Sequence, residues 1–119
     1  MVVKTISVIM SVYNDENNVA NAIQSILDQT FDDFEFLIID DCSTDNTYEE
    51  MTKFLNDSRV KLYVNKENIG LTKSLNKLIE ESSGKYIFRQ DSDDISFNNR
   101  LDEQIKILET KDVKTCTTR

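Results

Sequence analysis

The stretch FEFLIIDDCSTDNTYEEM, residues 34–51, sets the pattern for the whole chain. Phe34 to Asp40 reads as a strand built on the unbroken apolar run Phe36, Leu37, Ile38 and Ile39. A polar turn with paired aspartates, Asp40 and Asp41, follows at its end. Tyr48 and Met51, continued by Leu55, then trace a helical stripe that Ser43 or Asp45 can cap. Strand, acidic turn and helix recur on both sides of it. Upstream, Ile6, Val8, Met10 and Val12 share one strand face, with Val3 and Ile9 on the other, so that strand is expected to be buried on both sides. Val19, Ala22, Ile23, Ile26 and Leu27 then follow helical spacing behind Asn and Asp residues able to cap. Downstream, Val60, Leu62 and Val64 alternate as a third strand. Leu71, Leu75, Leu78 and Ile79 mark a third helix, with Gly84 expected to end it in a left-handed conformation. Tyr86 to Gln90 is a fourth strand, Leu101, Ile105 and Leu108 a fourth helical stripe, and Val113 to Thr117 the start of a fifth strand. Such alternation predicts an α/β fold with a mostly parallel sheet flanked by helices, in a single domain over residues 1–119.

Composition narrows the chemistry. Twenty-two acidic against 14 basic residues give a net charge of -8, which disfavours nucleic acid as a partner. The absence of histidine rules out any imidazole contributed by this chain, and with it Ser-His-Asp triads and HExxH zinc sites. Cys42 and Cys116 have no metal-ligand spacing, and reduced thiols are expected. No apolar run approaches the ~18 residues of a membrane span, and the N-terminus does not resemble a signal peptide, so a cytoplasmic protein is expected.

In open parallel sheets, ligands bind beyond the carboxyl ends of the strands. Here those positions carry Tyr13-Asn14-Asp15-Glu16, Asp40-Asp41-Cys42-Ser43, Asn65-Lys66-Glu67-Asn68 and Asp91-Ser92-Asp93-Asp94. Helix capping accounts for single aspartates such as Asp45 and Asp94. It does not account for the doubled Asp40-Asp41 or for three carboxylates among residues 91–94, whose mutual repulsion calls for a cation or a donor-rich ligand. With glycine only at Gly70 and Gly84, neither common glycine-rich phosphate loop can be written. Mg²⁺ or Mn²⁺ on aspartate oxygens is the alternative means of neutralising a phosphate. The Asp91-Ser92-Asp93 spacing lets one carboxylate reach the metal while the other accepts from a ribose hydroxyl.

Four segments together resemble the family 2 glycosyltransferases of the GT-A, Rossmann-like nucleotide-diphospho-sugar transferase fold. They are residues 7–14 (SVIMSVYN), 36–47 (FLIIDDCSTDNT), 68–71 (NIGL) and 86–101 (YIFRQDSDDISFNNRL). The resemblance implies a nucleotide-diphospho-sugar donor, a UDP-sugar in the first place, a divalent metal, and inversion at the anomeric carbon. It implies that Tyr13 stacks on the base, Asp41 accepts from the N3–H of uracil, Asp91 binds ribose and Asp93 binds the cation. The resemblance further implies that Asn68 and Lys73 approach the nucleotide from the third loop and that Asp40 orients its own loop. The bland alternatives are a half-buried loop aromatic for Tyr13 and a solvated helix lysine for Lys73. Glu16 and Arg100 match recurring family positions but serve equally well as capping or ion-pair residues, and stay outside the core set. Measured against the family, the sequence reads as a truncated donor-nucleotide half without the catalytic base. It is expected to bind nucleotide, to transfer no sugar, and to self-associate through an uncovered edge. The acceptor is not readable, and the resemblance allows a place at the inner face of a membrane.

Two other Mg²⁺-binding aspartate folds compete. A response-regulator receiver domain needs its acidic pair after the first strand and a phospho-acceptor after the third, where this chain has Tyr13-Asn14 and Asn65-Lys66. A haloacid-dehalogenase-type phosphatase needs its DxD after the first strand. A non-catalytic nucleotide-binding module is the third reading.

Overall fold

A computed structural model describes residues 5–111. The chain runs β1 (Ile6–Val12), α1 (Val19–Leu27), β2 (Phe34–Asp40), α2 (Thr47–Thr52), β3 (Val60–Val64), α3 (Leu71–Glu81), β4 (Tyr86–Arg89) and α4 (Arg100–Lys111). The strands form one parallel sheet in the order β3-β2-β1-β4. The expected fifth strand over Val113 to Thr117, together with Val3 and Cys116, lies outside the described residues.

The apolar periodicity of β1 and β2 explains the layering. Ile6, Val8, Met10 and Val12, with Phe34, Phe36 and Ile38, meet Val19, Ala22, Ile23 and Ile26 of α1, Met51 of α2, and Leu101, Ile105 and Leu108 of α4. On the opposite face Ile9, Leu37 and Ile39 pack with Leu78 of α3, flanked by Leu75, Tyr63 and Ile87. Both faces of the central strands are covered, and every residue of β2 is buried. Because β2 and β3 lie on one side of β1 and β4 on the other, the strand order reverses next to β1, where open α/β sheets place ligands.

Two expectations need correction. The stripe of the second helix stops early: Met51 is buried, but Tyr48 is 43% and Leu55 52% exposed, because α2 ends at Thr52 and turns toward β3. The third strand forms over Val60–Val64 as its alternation predicts; it lies at the edge of the sheet, with Val64 exposed. Gly84 does not end α3 in a left-handed conformation. That helix passes into extended Ser82, and the positive-φ glycine is Gly70, just before the helix.

Gly84 is needed for a different reason, the close approach of its backbone to β1. A Cβ there would lie 2.4 Å from the Ser7 nitrogen and 2.6 Å from the Ile6 carbonyl carbon, both backbone atoms of the sheet. Its N–H also donates to Ser7 Oγ at 2.7 Å. Gly84→Ala is therefore expected to destabilise the fold by about 2–3 kcal/mol through overpacking. A lowered urea midpoint with an unchanged slope would be the signature.

At the amino end of the sheet, Glu35 is buried at 2% exposure yet fully engaged. Its carboxylate accepts from Ser7 Oγ (2.6 Å), Lys61 Nζ (2.8 Å), Ser83 N (2.7 Å) and Ser83 Oγ (3.1 Å). It thereby joins β1, β2, β3 and the turn into β4. Burial alone would raise its pKa, but the bonds from Lys61, Ser7 and Ser83 outweigh that and lower it from 4.5 to about 2. Among the described residues β4 has no strand on its outer side. Beside it, Ile9, Leu71, Leu75, Ile79 and Ile87 contribute to a cavity of about 260 Å³.

Candidate functional site

All four strands are parallel, so their carboxyl ends share one edge. Backbone bonds carry the alignment past the strands: Asp41 N–H donates to Val12 O (2.8 Å), Asn65 N–H to Asp40 O (2.9 Å) and Gln90 N–H to Ile9 O (2.9 Å). Arg89, the last residue of β4, pairs with Ile9, three residues before the end of β1. The segment after it reaches the β1–α1 loop, where Ser92 Oγ donates to Asp15 Oδ2 at 2.6 Å. The candidate residues Tyr13, Asp41, Asp91 and Asp93 thus sit in adjoining loops of one sheet edge.

The first two loops hold each other. Asn14 and Cys42 both have positive φ, 49° and 63°, which bends the chain sharply after β1 and β2. Asn14 Oδ1 accepts from Thr44 N–H at 2.7 Å, and Asn14 N–H donates to Ser43 Oγ at 2.8 Å. Asp15 N–H donates to Thr47 Oγ1, and Glu16 Oε2 accepts from Asn46 N–H. Glu16 is thus a loop brace. Asp45, which precedes the N-cap residue Asn46, accepts from Thr47 N–H at 2.9 Å at the start of α2, and buried Asp40 accepts from Ser43 N–H at 3.1 Å. Tyr13, at the end of β1, is 49% exposed and able to stack on a ligand ring.

Asp41 is 3% exposed. Oδ1 accepts from Asn65 Nδ2 and Ile69 N–H, and Oδ2 from Gly70 N–H, each at 2.9 Å. Burial would raise its pKa, but the Ile69, Asn65, Gly70 and Ser74 donors hold it below the ordinary aspartate value. The carboxylate occupies the donor-rich entrance to α3, where an anion would otherwise be attracted. A ligand phosphate therefore has to be met elsewhere. Asn68 Nδ2 donates to Asp41 O at 3.3 Å, and Lys73 is exposed on the first turn of α3.

In the fourth loop, Arg89 pairs with Asp91: Nη2 and Nε lie 3.1 and 3.2 Å from Oδ1. Asp93 is exposed, and its carboxylate has no partner among the described residues. Asp94 does not cap α4. It lies in a turn, its N–H donating to Asp91 O and its carbonyl accepting from Gln90 Nε2. No three acidic or thiol side chains among the described residues converge in metal-ligating geometry. The described residues therefore form no all-protein cage, and a Mg²⁺ or Mn²⁺ ion at this edge would need ligand phosphates and water beside Asp93.

Nothing local in the sequence marks Asp15, Ser92 or Arg89 for these contacts. Their contacts follow from β4 lying next to β1, and adjacency of strands so distant in sequence leaves no local signal.

Comparison with known proteins gives a consistent result. Residues 7–119 match the model of glycosyl transferase family 2. Over 103 residues the chain is 39% identical to the UDP-Glc:alpha-D-GlcNAc-diphosphoundecaprenol beta-1,3-glucosyltransferase WfgD of Escherichia coli, covering 87% of this chain and 40% of that protein. S. aureus TarS in complex with UDP-GlcNAc superposes with a TM-score of 0.84 at 28% identity, over 89% of this chain and 31% of that one. The Pyrobaculum calidifontis mannosyltransferase PcManGT, in complex with GDP-Man and Mn²⁺, has a TM-score of 0.80 at 20% identity, over 90% of this chain and 33% of that one, a likeness of fold. The chain spans 15% to 41% of the length of the curated relatives compared with it.

Proposed function

Because this chain belongs to glycosyl transferase family 2, with the GT-A fold, we propose that its carboxyl-edge cleft binds the nucleotide diphosphate of a sugar donor, UDP in the first place. Membership in that family sets aside the receiver and phosphatase readings. The observation that supports the cleft most directly is the 2.6 Å bond from Ser92 Oγ to Asp15 Oδ2, which joins the loop carrying the exposed, partnerless carboxylate Asp93 to the loop that begins with the exposed ring Tyr13. Tyr13 stacks on the base. Asp41 accepts the base N3–H on capacity left at Oδ2, and Asp91 takes the ribose hydroxyls with the oxygen that Arg89 does not hold. Asn68 and Lys73 flank the nucleotide from the entrance of α3. Asp93 holds Mg²⁺ or Mn²⁺. When bound, that cation neutralises the diphosphate and stabilises it as a leaving group.

Sugar transfer also needs a base at the acceptor hydroxyl. Asp41 is committed to its loop and Asp91 to Arg89, while Asp93 is assigned to the metal. We assign that base to none of the described residues, and expect the 119-residue chain to bind UDP without transferring sugar.

Calorimetric titration with UDP, with and without Mn²⁺, tests this reading. Asp93→Asn is expected to lower the Mn²⁺-dependent part of the affinity by about tenfold or more. Thermal stability should barely change, since the side chain is exposed and partnerless. Equal affinities for wild type and variant would refute the role of Asp93. Measurable transfer from a UDP-sugar would refute the assignment of the base elsewhere.

No helix of the described residues is long and apolar enough to cross a membrane.

A further inference from the structure

Behind the acidic loop lies a polar cluster to which the donor-site reading gives no part. Gln90, the buried residue after β4, accepts at Oε1 from Ser96 Oγ (2.7 Å) and Arg100 Nη1 (2.6 Å), and its Nε2 donates to Asp94 O (2.7 Å). Arg100 also donates from Nη1 to Ser96 Oγ and from Nη2 to Arg89 O, both at 2.8 Å. The guanidinium thus spans the loop, gripping the residue before it and a residue beyond its acidic stretch. A second set of bonds ties the far end to α1. Ser96 N–H donates to Ser25 Oγ (3.0 Å), Gln29 Nε2 to Phe97 O (2.6 Å), Thr30 N–H to Asn98 O (2.7 Å) and Leu101 N–H to Gln29 Oε1 (3.0 Å).

The consequence concerns the three carboxylates held between those anchors. Asp91, Asp93 and Asp94 repel one another, and a loose loop would spread them apart. A cation binding to such a loop would first have to bear the cost of ordering it. A planar, permanently charged fork is suited to the anchoring task, because it reaches several fixed acceptors at once and carries a positive charge beside the acidic loop.

From this geometry we infer that Arg100 is a positioning residue: acting through Gln90 and Ser96, it fixes the Asp91–Asp93 segment and so sets how tightly a divalent cation is held with a nucleotide diphosphate. The inference rests on the donor-site reading above. It predicts a split that a merely structural residue would not produce. Arg100→Gln should lower the Mn²⁺-dependent part of UDP affinity by about tenfold, in the range seen when the partners of metal ligands are removed. UDP binding without metal should fall by less, since Tyr13 and Asp41 lie on other loops and Asp91 is the one metal-independent contact on this loop.

The test is calorimetric titration of the 119-residue chain with UDP, with and without Mn²⁺, for wild type, Arg100→Gln and Ser96→Ala. Ser96→Ala removes one member of the cluster at a partly exposed position. It keeps the test open if Arg100→Gln fails to fold, and should show a smaller loss, again greater in the metal-dependent part. A metal-dependent affinity unchanged in both variants overturns the inference alone, as does an equal loss with and without Mn²⁺. No UDP binding by wild type removes the donor-site reading, and this inference with it.

Discussion

Glu35→Ala is expected to cost about 3 kcal/mol at neutral pH while leaving the nucleotide affinity of the folded molecules unchanged. The cost follows from what the carboxylate holds. Lys61 is 50% exposed and can turn to water when its partner is lost. Ser7 Oγ and Ser83 N–H sit against the sheet and have no such escape. The same residue sets an acid limit. Its folded pKa of about 2 lies below the ordinary 4.5. The stabilisation is therefore fully present above pH 4.5 and is lost as pH falls from there through about 2. The amount is on the order of 3 kcal/mol. Asp41 and Asp57 are also held below their ordinary values and titrate in the acid range, so the useful quantity is a difference. Urea unfolding of wild type and Glu35→Ala at pH 7 and pH 3 should show the gap between the two proteins narrowing at the lower pH. A gap of constant size would mean that the buried carboxylate contributes no linkage. Because Glu35 joins the amino ends of the strands, opposite the cleft, this variant separates loss of scaffold from loss of site.

The parts of the structure legible in the sequence are those whose signal is local. Ile6–Val12, Val19–Leu27 and Phe34–Asp40 form where the apolar spacing places them, because each buries a face whose period is written within a few residues. The acidic edge was legible for the same reason, since the residue after a strand can be read once the strand is found. What escaped depends on partners distant in sequence. Gly84 reads as a helix terminator until β1 is seen within 2.4 Å of where its side chain would start. Asp15 and Ser92 are 77 residues apart, and their bond depends on β4 crossing to the free side of β1. Asp41 is the most instructive case. The pair Asp40-Asp41 announces a function, yet two of the Asp41 partners are backbone N–H groups, of Ile69 and Gly70, which no residue type reveals. Arg100 is marked in the sequence only as a recurring family position, and no charge pattern suggests its bonds to the neutral oxygens of Gln90, Ser96 and Arg89.

Asp41 substitutions should damage fold and binding together, in contrast to Asp93. In Asp41→Ala the Asn65 amide, the Ile69 N–H and the Gly70 N–H all lose a buried acceptor. At about 1–3 kcal/mol for each donor, partly relieved by water entering the loop, the loss is on the order of 4 kcal/mol. Asp41→Asn is the sharper probe, because it keeps the volume and one acceptor oxygen. Whichever way the amide turns, its NH₂ group faces at least one of those donors, so a cost of about 2 kcal/mol is expected. The loop from Asn65 to Gly70 should then loosen, and with it the placement of Asn68 and the entrance of α3. The donor-site reading adds a second expectation. The amide can present a donor where the base N3–H needs an acceptor, so UDP affinity without Mn²⁺ should fall by about tenfold, the equivalent of one lost hydrogen bond. The additional affinity conferred by Mn²⁺ should survive, since Asp93 is untouched. Urea unfolding and calorimetry on the same two variants separate these claims. An unfolding midpoint equal to wild type in Asp41→Ala would show that the carboxylate does not hold the loop. A folded Asp41→Asn protein that binds UDP as tightly as wild type without metal would remove Asp41 from the base pocket and leave it only as the residue that shapes the third loop.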